Sequence, residues 1–463
     1  MCNSINAIIY FMSCPLFLSQ LPLMIGSAAI DNSSIISHAV ASGFMRRAPQ
    51  KISPRAFLQS FLDSALARSP SFNDLASEME ANGNPMASRQ AVAKRCTASA
   101  LLFIQAVFGE FLAQHIFPDG TKSLPGCLRD FNRVIVADST LLKLPAWLFD
   151  VFSGTANSTT RSCHCRIQAA YDLVAMQFIY FSIDPYSKND LAAAPDLVLQ
   201  AGDLVLRDRG YLTCGEVQRH RAAKADCIYR HITGTLYLDP DTKLPFDLLA
   251  HLQEHGHVDK MVCLNNAELT PVRLVGAAID EESANIRRMR AKKETHGHNP
   301  SAAVLAMMSW SVYLVTNALW KCAFKDLLAI YGLRWRIEII FKSWKSHLAF
   351  AKVHHLSEIQ LRILLTVRLM LIMAHTDMFY GPCQRRLKKE TKRELSLMKF
   401  IHYLARHPGK IETIRHYLPA VPGAESNPAT KQHCMQIRKL LLKYCCYDRR
   451  KRPNFNTQWA FAA

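Results

Sequence analysis

Two short apolar runs, each stopping at an aspartate, set the tightest limits on how this 463-residue chain can fold. RVIVAD (133–138) and DLVLRD (203–208) are continuous enough to be buried strands and too short for buried helices. Alternation puts Val134, Val136 and Asp138 on one face of the first, and Leu204, Leu206 and Asp208 on one face of the second. Each acid is then in phase with core residues at a strand end. A carboxylate there is costly unless a cation, a metal or hydrogen-bond donors compensate it. A plainer account makes each acid the cap of a following turn, beside Ser139, Thr140 or Gly210, and the spacing leaves both open.

The second constraint is helical. Wound at about 100° per residue, YGLRWRIEIIFKSWKSHLAF (331–350) puts Arg334, Glu338 and Lys345 at roughly 300°, 340° and 320° from Tyr331, one narrow polar face. Leu333, Ile337, Ile340, Trp344 and Leu348 fall at about 180° to 260° and form an apolar anchor. The expectation is a single helix carrying all four polar groups over about 21 Å of axis. Such a stripe suits a metal ion held beside a polyanion. A solvated face with ion pairs one turn apart, such as Arg334 with Glu338, gives the same pattern.

Charge narrows the partners. Lys and Arg number 56 against 37 Asp and Glu, a formal net charge of +19, which points to nucleic acid or an anionic membrane surface. The apolar stretch ILLTVRLMLIMAHTDMFY (363–380) contains Arg368, with Arg362 and Asp377 near its ends, so it reads as a buried helix and no membrane span is expected. Residues 1–30 are apolar but lack a positive start, the mark of an N-terminal extension rather than a secretion signal. Fourteen scattered cysteines with no CxxC fit a reducing cytoplasm. Cys163, His164 and Cys165 alternate across a strand and cannot by themselves close a tetrahedral zinc site.

Length suggests about three domains. Residues 1–45 read as an apolar extension, and 46–125 as a helical DNA-binding domain. Residues 126–350 read as an α/β domain interrupted at about 225–320 by an all-β insertion, and 351–463 as a basic helical region. In the helical domain Phe72, Leu75 and Met79 share a face, Gly83, Asn84 and Pro85 break it, and Ser88 caps the next helix. That helix offers Arg89, Gln90, Lys94 and Arg95 to phosphates and base edges, although an ordinary helical hairpin looks the same. CRIQAAYDLVAMQFIYFSI reads as an antiparallel pair and NDLAAAPDLVLQAGD as a helix closed by Gly202. The insertion is expected to hold the strands DCIYRHI, VDKMVCL, TPVRLVGAAI and WSVYLVTNA, with IRRMRAKKETHGH as a basic loop among them.

Two strand-end aspartates followed by a helical glutamate are what two-metal phosphoryl transfer needs. Hard Mg²⁺ or Mn²⁺ takes carboxylate oxygens and leaves room for a substrate phosphate. Two such ions about 4 Å apart can activate the attacking oxygen and stabilise the leaving one.

At this point the chain resembles the DDE transposases of bacterial insertion sequences, in the branch (insertion sequence family four) marked by Y-x2-R-x3-E-x6-K. Tyr331, Arg334, Glu338 and Lys345 match that spacing without a gap. Asp138, Ser139 and Thr140 resemble the family's first-acid motif, and Asp208, Arg209, Gly210 and Tyr211 its D-x-G-Y motif. The resemblance covers roughly residues 130 to 350 and implies an RNase H-like core, a mixed five-stranded sheet with helices, interrupted by a β insertion between the second Asp and the Glu. It implies that Asp138, Asp208 and Glu338 are catalytic and hold two Mg²⁺ or Mn²⁺ ions. Tyr331, Arg334 and Lys345, with neighbouring Trp335, would hold the phosphates of the transposon end. Trp310 matches a tryptophan that in relatives stacks on a flipped base, and it also suits the core of the insertion. The implied partners are double-stranded DNA, both transposon ends and target, and a second copy of the chain through the C-terminal helices. The implied reaction is hydrolysis at each end to free a 3′-hydroxyl, then its joining to target DNA. Two other readings stand beside it: a catalytically inactive, DNA-binding repressor derived from a transposase, and a plain RNase H-like nuclease, which has no evident need of the Tyr, Arg and Lys stripe.

Overall fold

A computed structural model describes residues 31–447 apart from 49–50, 66–69, 114–127, 295–298, 348–349, 351–352, 354–355, 408–409, 416 and 419–427. Residues 1–30, the basic run 448–453, Leu348, His296 and His298 therefore lie outside the described residues.

Among the described residues five helices come first: α1 (Asn32–Ala41), α2 (Pro54–Ser64), α3 (Phe72–Ala81), α4 (Arg89–Arg95) and α5 (Ala98–Ala113). The starts of the first four are set by side-chain caps, since Asp31, Ser53, Ser71 and the expected Ser88 each accept a backbone N–H of the first turn. Ile35 and Ala39 seat α1 in the same core as α5, so residues 31–45 belong to the helical region and the boundary expected at 45 falls too late. Arg95 does not face outward as a phosphate ligand would. Its guanidinium lies 4.0 Å over the Phe44 ring, whereas Arg89, Gln90 and Lys94 are exposed.

The strands are β1 (Arg133–Leu144), β2 (Gly154–Ala156), β3 (Arg161–Asp172), β4 (Gln177–Pro185), β5 (Asp203–Leu206), β6 (Asp226–Arg230), β7 (Tyr237–Leu238), β8 (Pro245–Phe246), β9 (His257–Leu264), β10 (Pro271–Ala278) and β11 (Trp310–Val315). They form one sheet in the order β2-β3-β1-β5-β6-β11-β10-β9-β7-β8, with β4 also paired to β3. β1, β5 and β6 are parallel and the other pairings antiparallel. Parallel strands are covered on both faces, which is why the two aspartate-ended runs are continuously apolar. Val134, Val136, Leu204 and Leu206 enter the large core, while Ile135, Ala137 and Val205 enter a smaller one on the opposite face. The antiparallel pair expected at 165–183 is β3 with β4.

Five expectations need correction. β1 does not end at Asp138: β3 pairs with it as far as Leu144, and Asp138 lies just past the last parallel pair, Val136 with Leu206. Residues 189–202 are not one helix. A single turn, Asp190–Ala193, gives way to a 3₁₀ turn at Ala194–Asp196, because Pro195 has no N–H to return to the preceding turn. The insertion is not all-β either. After α6 (Cys214–Ala222), which precedes β6, it contains α7 (Leu248–His255), α8 (Glu281–Glu294) and α9 (Ala302–Met307), and its first expected strand, β6, is a parallel strand of the central sheet. Over its described residues, 286–294, the basic segment is helical, not a loop: it fills α8 with strong helix formers, with Glu281 and Glu282 in the first turn and Lys292 and Lys293 in the last, as the helix dipole favours.

The fifth concerns the polar stripe. α10 (Phe324–Gly332) ends before α11 (Trp335–His347) begins, and Arg334 lies in the junction. There the bonding tightens to i→i−3, from Leu333 N to Ile330 O, Arg334 N to Tyr331 O and Arg336 N to Leu333 O. Gly332, a poor helix former, sits at the break. The anchor survives: Leu333, Ile337, Ile340 and Trp344 are buried.

The C-terminal helices are α12 (Glu358–Met373), a π-helical turn at Ala374–Tyr380, α13 (Gly381–Thr391), α14 (Leu397–Arg406), α15 (Lys410–Arg415) and α16 (Pro428–Tyr444). Residues Glu358–Thr391 are the one stretch of helix among the described residues long and apolar enough to cross a membrane, and 83% of its apolar window is buried inside the protein, as expected for a core helix. Arg368 within it donates to Ala65 O (2.7 Å) and Phe350 O (3.1 Å).

Candidate active site

The three acids read from the sequence come together. Asp138 stands where β1 leaves its parallel partner, and the Ser139 N–H donates to its Oδ1 at 2.8 Å. Asp208, two residues past β5, caps the 3₁₀ turn Arg209–Tyr211. Glu338 projects from the first turn of α11, where the helix dipole favours negative charge. Their side chains are 19%, 47% and 36% exposed.

The Arg334 guanidinium lies at the point of convergence. Its Nη1 is 2.7 Å from Glu338 Oε1 and 3.7 Å from Asp138 Oδ2, and its Nη2 is 3.8 Å from Asp208 Oδ1. Arg334 makes these contacts from the 3₁₀ junction between α10 and α11. The side chain is 8% exposed, passes 5.0 Å from the Trp335 ring centre, and buries an Nε with no hydrogen-bond partner. One guanidinium does not offset three carboxylates. Burial pushes the Asp138 carboxyl up to about 7, against the pull of the Ser139 N–H and Arg334, with Asp190 and Asp208 adding to the rise.

The rest of the stripe divides. Tyr331 is buried against Tyr313, ring centres 5.2 Å apart, and burial pushes its phenol up to about 12. Trp335 is half exposed beside Arg334. Lys345 does not join the acids; its Nζ donates to Leu141 O at 2.9 Å, further along β1. Trp310 opens β11 and packs against the insertion's own core, and its carbonyl accepts from Arg287 Nη1 at 3.0 Å. Cys163 and Cys165 are buried in the large core and give no ligand pair to solvent. Among the described residues no three His, Cys, Asp or Glu side chains form a ready metal cage, and in the acid cluster the space between the carboxylates is taken by Arg334.

Sequence reasoning missed a polar network behind Asp138. Arg166 Nη1 donates to Ser139 Oγ and to Asp190 Oδ1, both at 2.9 Å. Gln168 Nε2 also donates to Asp190 (3.2 Å), and the Tyr211 hydroxyl to Gln168 Oε1 (3.3 Å). The available signal was Arg166 and Gln168 two apart in CRIQAA, which puts both on one face of the strand.

Residues 129–374 match the family model described as Transposase DDE domain. The chain is 26% identical over 364 residues to the transposase for insertion sequence element IS231C of Bacillus thuringiensis subsp. berliner, covering 72% of this chain and 74% of that one. It is 24% identical over 395 residues to that for IS231B of the same source (79% and 80% covered), and 24% identical to that for IS1151 of Clostridium perfringens (69% and 72%). Among solved structures, a piggyBac transposase synaptic complex with hairpin DNA aligns at TM-score 0.37 and 10% identity over 90% of this chain and 85% of that one, a likeness too loose to add weight.

Proposed function

Since the chain belongs to the DDE transposases, we propose that it cuts DNA at the ends of an insertion sequence and joins the freed 3′-hydroxyls to target DNA, with Asp138, Asp208 and Glu338 as the catalytic carboxylates. The observation that carries this reading is the meeting of these three acids, drawn from β1, the turn after β5 and α11, around one cation. The order β4-β3-β1-β5-β6, with three parallel strands, supports an RNase H-like core beneath them.

The donor set fits Mg²⁺ or Mn²⁺: the groups are hard carboxylate oxygens, and a carboxyl raised to about 7 beside two further acids is short of positive charge. Bound there, a pair of such ions supplies activation of the attacking oxygen and stabilisation of the leaving one. Asp138, Asp208 and Glu338 are the residues that would hold them. Arg334 turns from the acids to a DNA phosphate, for which its planar fork is suited, and its orphaned Nε is a further donor for that contact. Lys345 holds a phosphate further along the strand, and half-exposed Trp335 offers a face to a base. Tyr331 aligns Arg334 from below, its ring 5.8 Å from the guanidinium carbon. Trp310 stacks on a base at the edge of the insertion. The partner is double-stranded DNA, one chain to each transposon end.

Asp208→Asn tests the assignment. It is expected to keep binding to an end-containing duplex and to lose cleavage with Mg²⁺; a variant that still cuts would overturn the proposal. The appearance of joined products with the native chain distinguishes a transposase from a nuclease that stops at hydrolysis.

A further inference from the structure

We infer that Ser139, Arg166 and Asp190 are positioning residues that set the orientation of Asp138, and with it the affinity of the acid cluster for a divalent cation. This rests on the proposal that Asp138 holds such an ion. β1 alternates, so the Asp138 carboxylate and the Ser139 side chain lie on opposite faces of the strand. Ser139 works on both: its N–H donates to Asp138 Oδ1, while its hydroxyl accepts from Arg166 Nη1. The pairing of β1 with β3 puts Gln168 directly across from Ser139, on the Arg166 side. Arg166 cannot drift, because the same Nη1 is held by Asp190, which Gln168 also grips while Tyr211 holds Gln168 in turn.

Asp190 is itself anchored to the strand that leads to Asp208. Its helical turn is capped by Asn189, and the carbonyl of Ala194 just beyond accepts from Arg207 Nη2 and Arg219 Nη2, each at 3.1 Å. Arg207 is the residue before Asp208 and is fixed by Glu216 at 2.6 Å. One chain of contacts thus runs from the neighbour of the second aspartate to the neighbour of the first. Groups that orient a metal ligand from behind are typically worth 10- to 100-fold in metal affinity or activity.

Ser139→Ala changes no charge and cuts the chain at one atom, so it carries the decision; Arg166→Gln removes a half-buried charge and is the variant whose fold is most at risk. Mn²⁺ binding is followed by electron paramagnetic resonance without DNA, beside end-duplex affinity, cleavage rate and urea midpoint. Ser139→Ala and Asp190→Asn are each expected to weaken Mn²⁺ binding and slow cleavage about 10- to 100-fold at unchanged duplex affinity and midpoint. The double variant should lose no more than the worse single one, because both break one path, and Ser139→Thr should restore most of the loss. Unchanged Mn²⁺ affinity in Ser139→Ala overturns the inference, whether or not Asp190→Asn has an effect, since an effect of Asp190 alone is charge acting at a distance. Slower cleavage that tracks a lowered midpoint, with Mn²⁺ affinity intact, overturns it as well. The proposal for the acid cluster fails separately, if Asp208→Asn goes on cutting.

Discussion

Arg334→Gln should make the acid cluster bind divalent cations more tightly, not less, in the absence of DNA. The guanidinium lies where a bound cation would interact, so an ion entering the native protein must first break its contacts. The strongest is the Glu338 bond at 2.7 Å; the contacts to Asp138 and Asp208, at 3.7 and 3.8 Å, are beyond hydrogen-bond length. A hydrogen bond to a charged group contributes about 1.5–3 kcal/mol net, and each 1.4 kcal/mol is about tenfold in a binding constant, so the gain should be about 10- to 100-fold. Without metal the same variant leaves three carboxylates facing one another and should be less stable by about 1.5–3 kcal/mol, the lost bond to Glu338, because Asp208 and Glu338 are too exposed for the cost of breaking a fully buried pair. The assay is a Mn²⁺ titration by paramagnetic resonance, with urea unfolding in chelator and in saturating Mn²⁺. Unchanged or weaker Mn²⁺ affinity, or a stability deficit that Mn²⁺ does not restore, would refute the view of Arg334 as a resident counter-ion.

Three further outcomes follow from the same geometry. The folded Asp138 carboxyl stands near 7, above its ordinary 3.8, so its protonation stabilises the fold fully below about pH 4 and that share is lost as pH rises through about 7. In chelator, Asp138→Asn should flatten the fall in urea midpoint between about pH 4 and 7, a tenfold change in proton affinity being worth about 1.4 kcal/mol; parallel slopes for the two proteins would count against it. Lys345→Ala should weaken end-duplex binding and lower the slope of log affinity against log salt by about one, with little change in stability, since it loses only a contact at the surface of β1. Trp344→Ala, at a fully buried residue against Phe178, Phe341 and Phe350, should cost about 3–5 kcal/mol in urea unfolding, and a cost under about 1 kcal/mol would mean that α11 is not anchored there.

The acids were legible because chemistry and burial leave the same mark on a strand: Asp138 and Asp208 are in phase with residues that must be inside. Ser88 was legible because a cap is a local event. The helix break at Leu333 and Arg334 was not, since the wheel position of Arg334 is the same whether or not the turn tightens, and only packing decides. α8 reads as a loop because its charges hide strong helix propensity. Asp190 was invisible for another reason: at 189–203 it reads as an ordinary first-turn acid of a helix, and its partners Arg166 and Gln168 come from a strand more than twenty residues earlier. Contacts of that kind exist only once the sheet has formed.

The strand that closes the insertion does not dangle beside the catalytic sheet. β11 docks edge to edge on β6, with Tyr313 opposite Arg230, and Tyr313 carries the ring on which Tyr331 rests. Shear between the two halves would have to rupture that ladder, so the insertion is pinned to the catalytic sheet. If Trp310 takes a base as proposed, that base sits a set number of backbone steps from the carboxylates, and the position of the cut would be measured by peptide geometry rather than searched for by a moving arm.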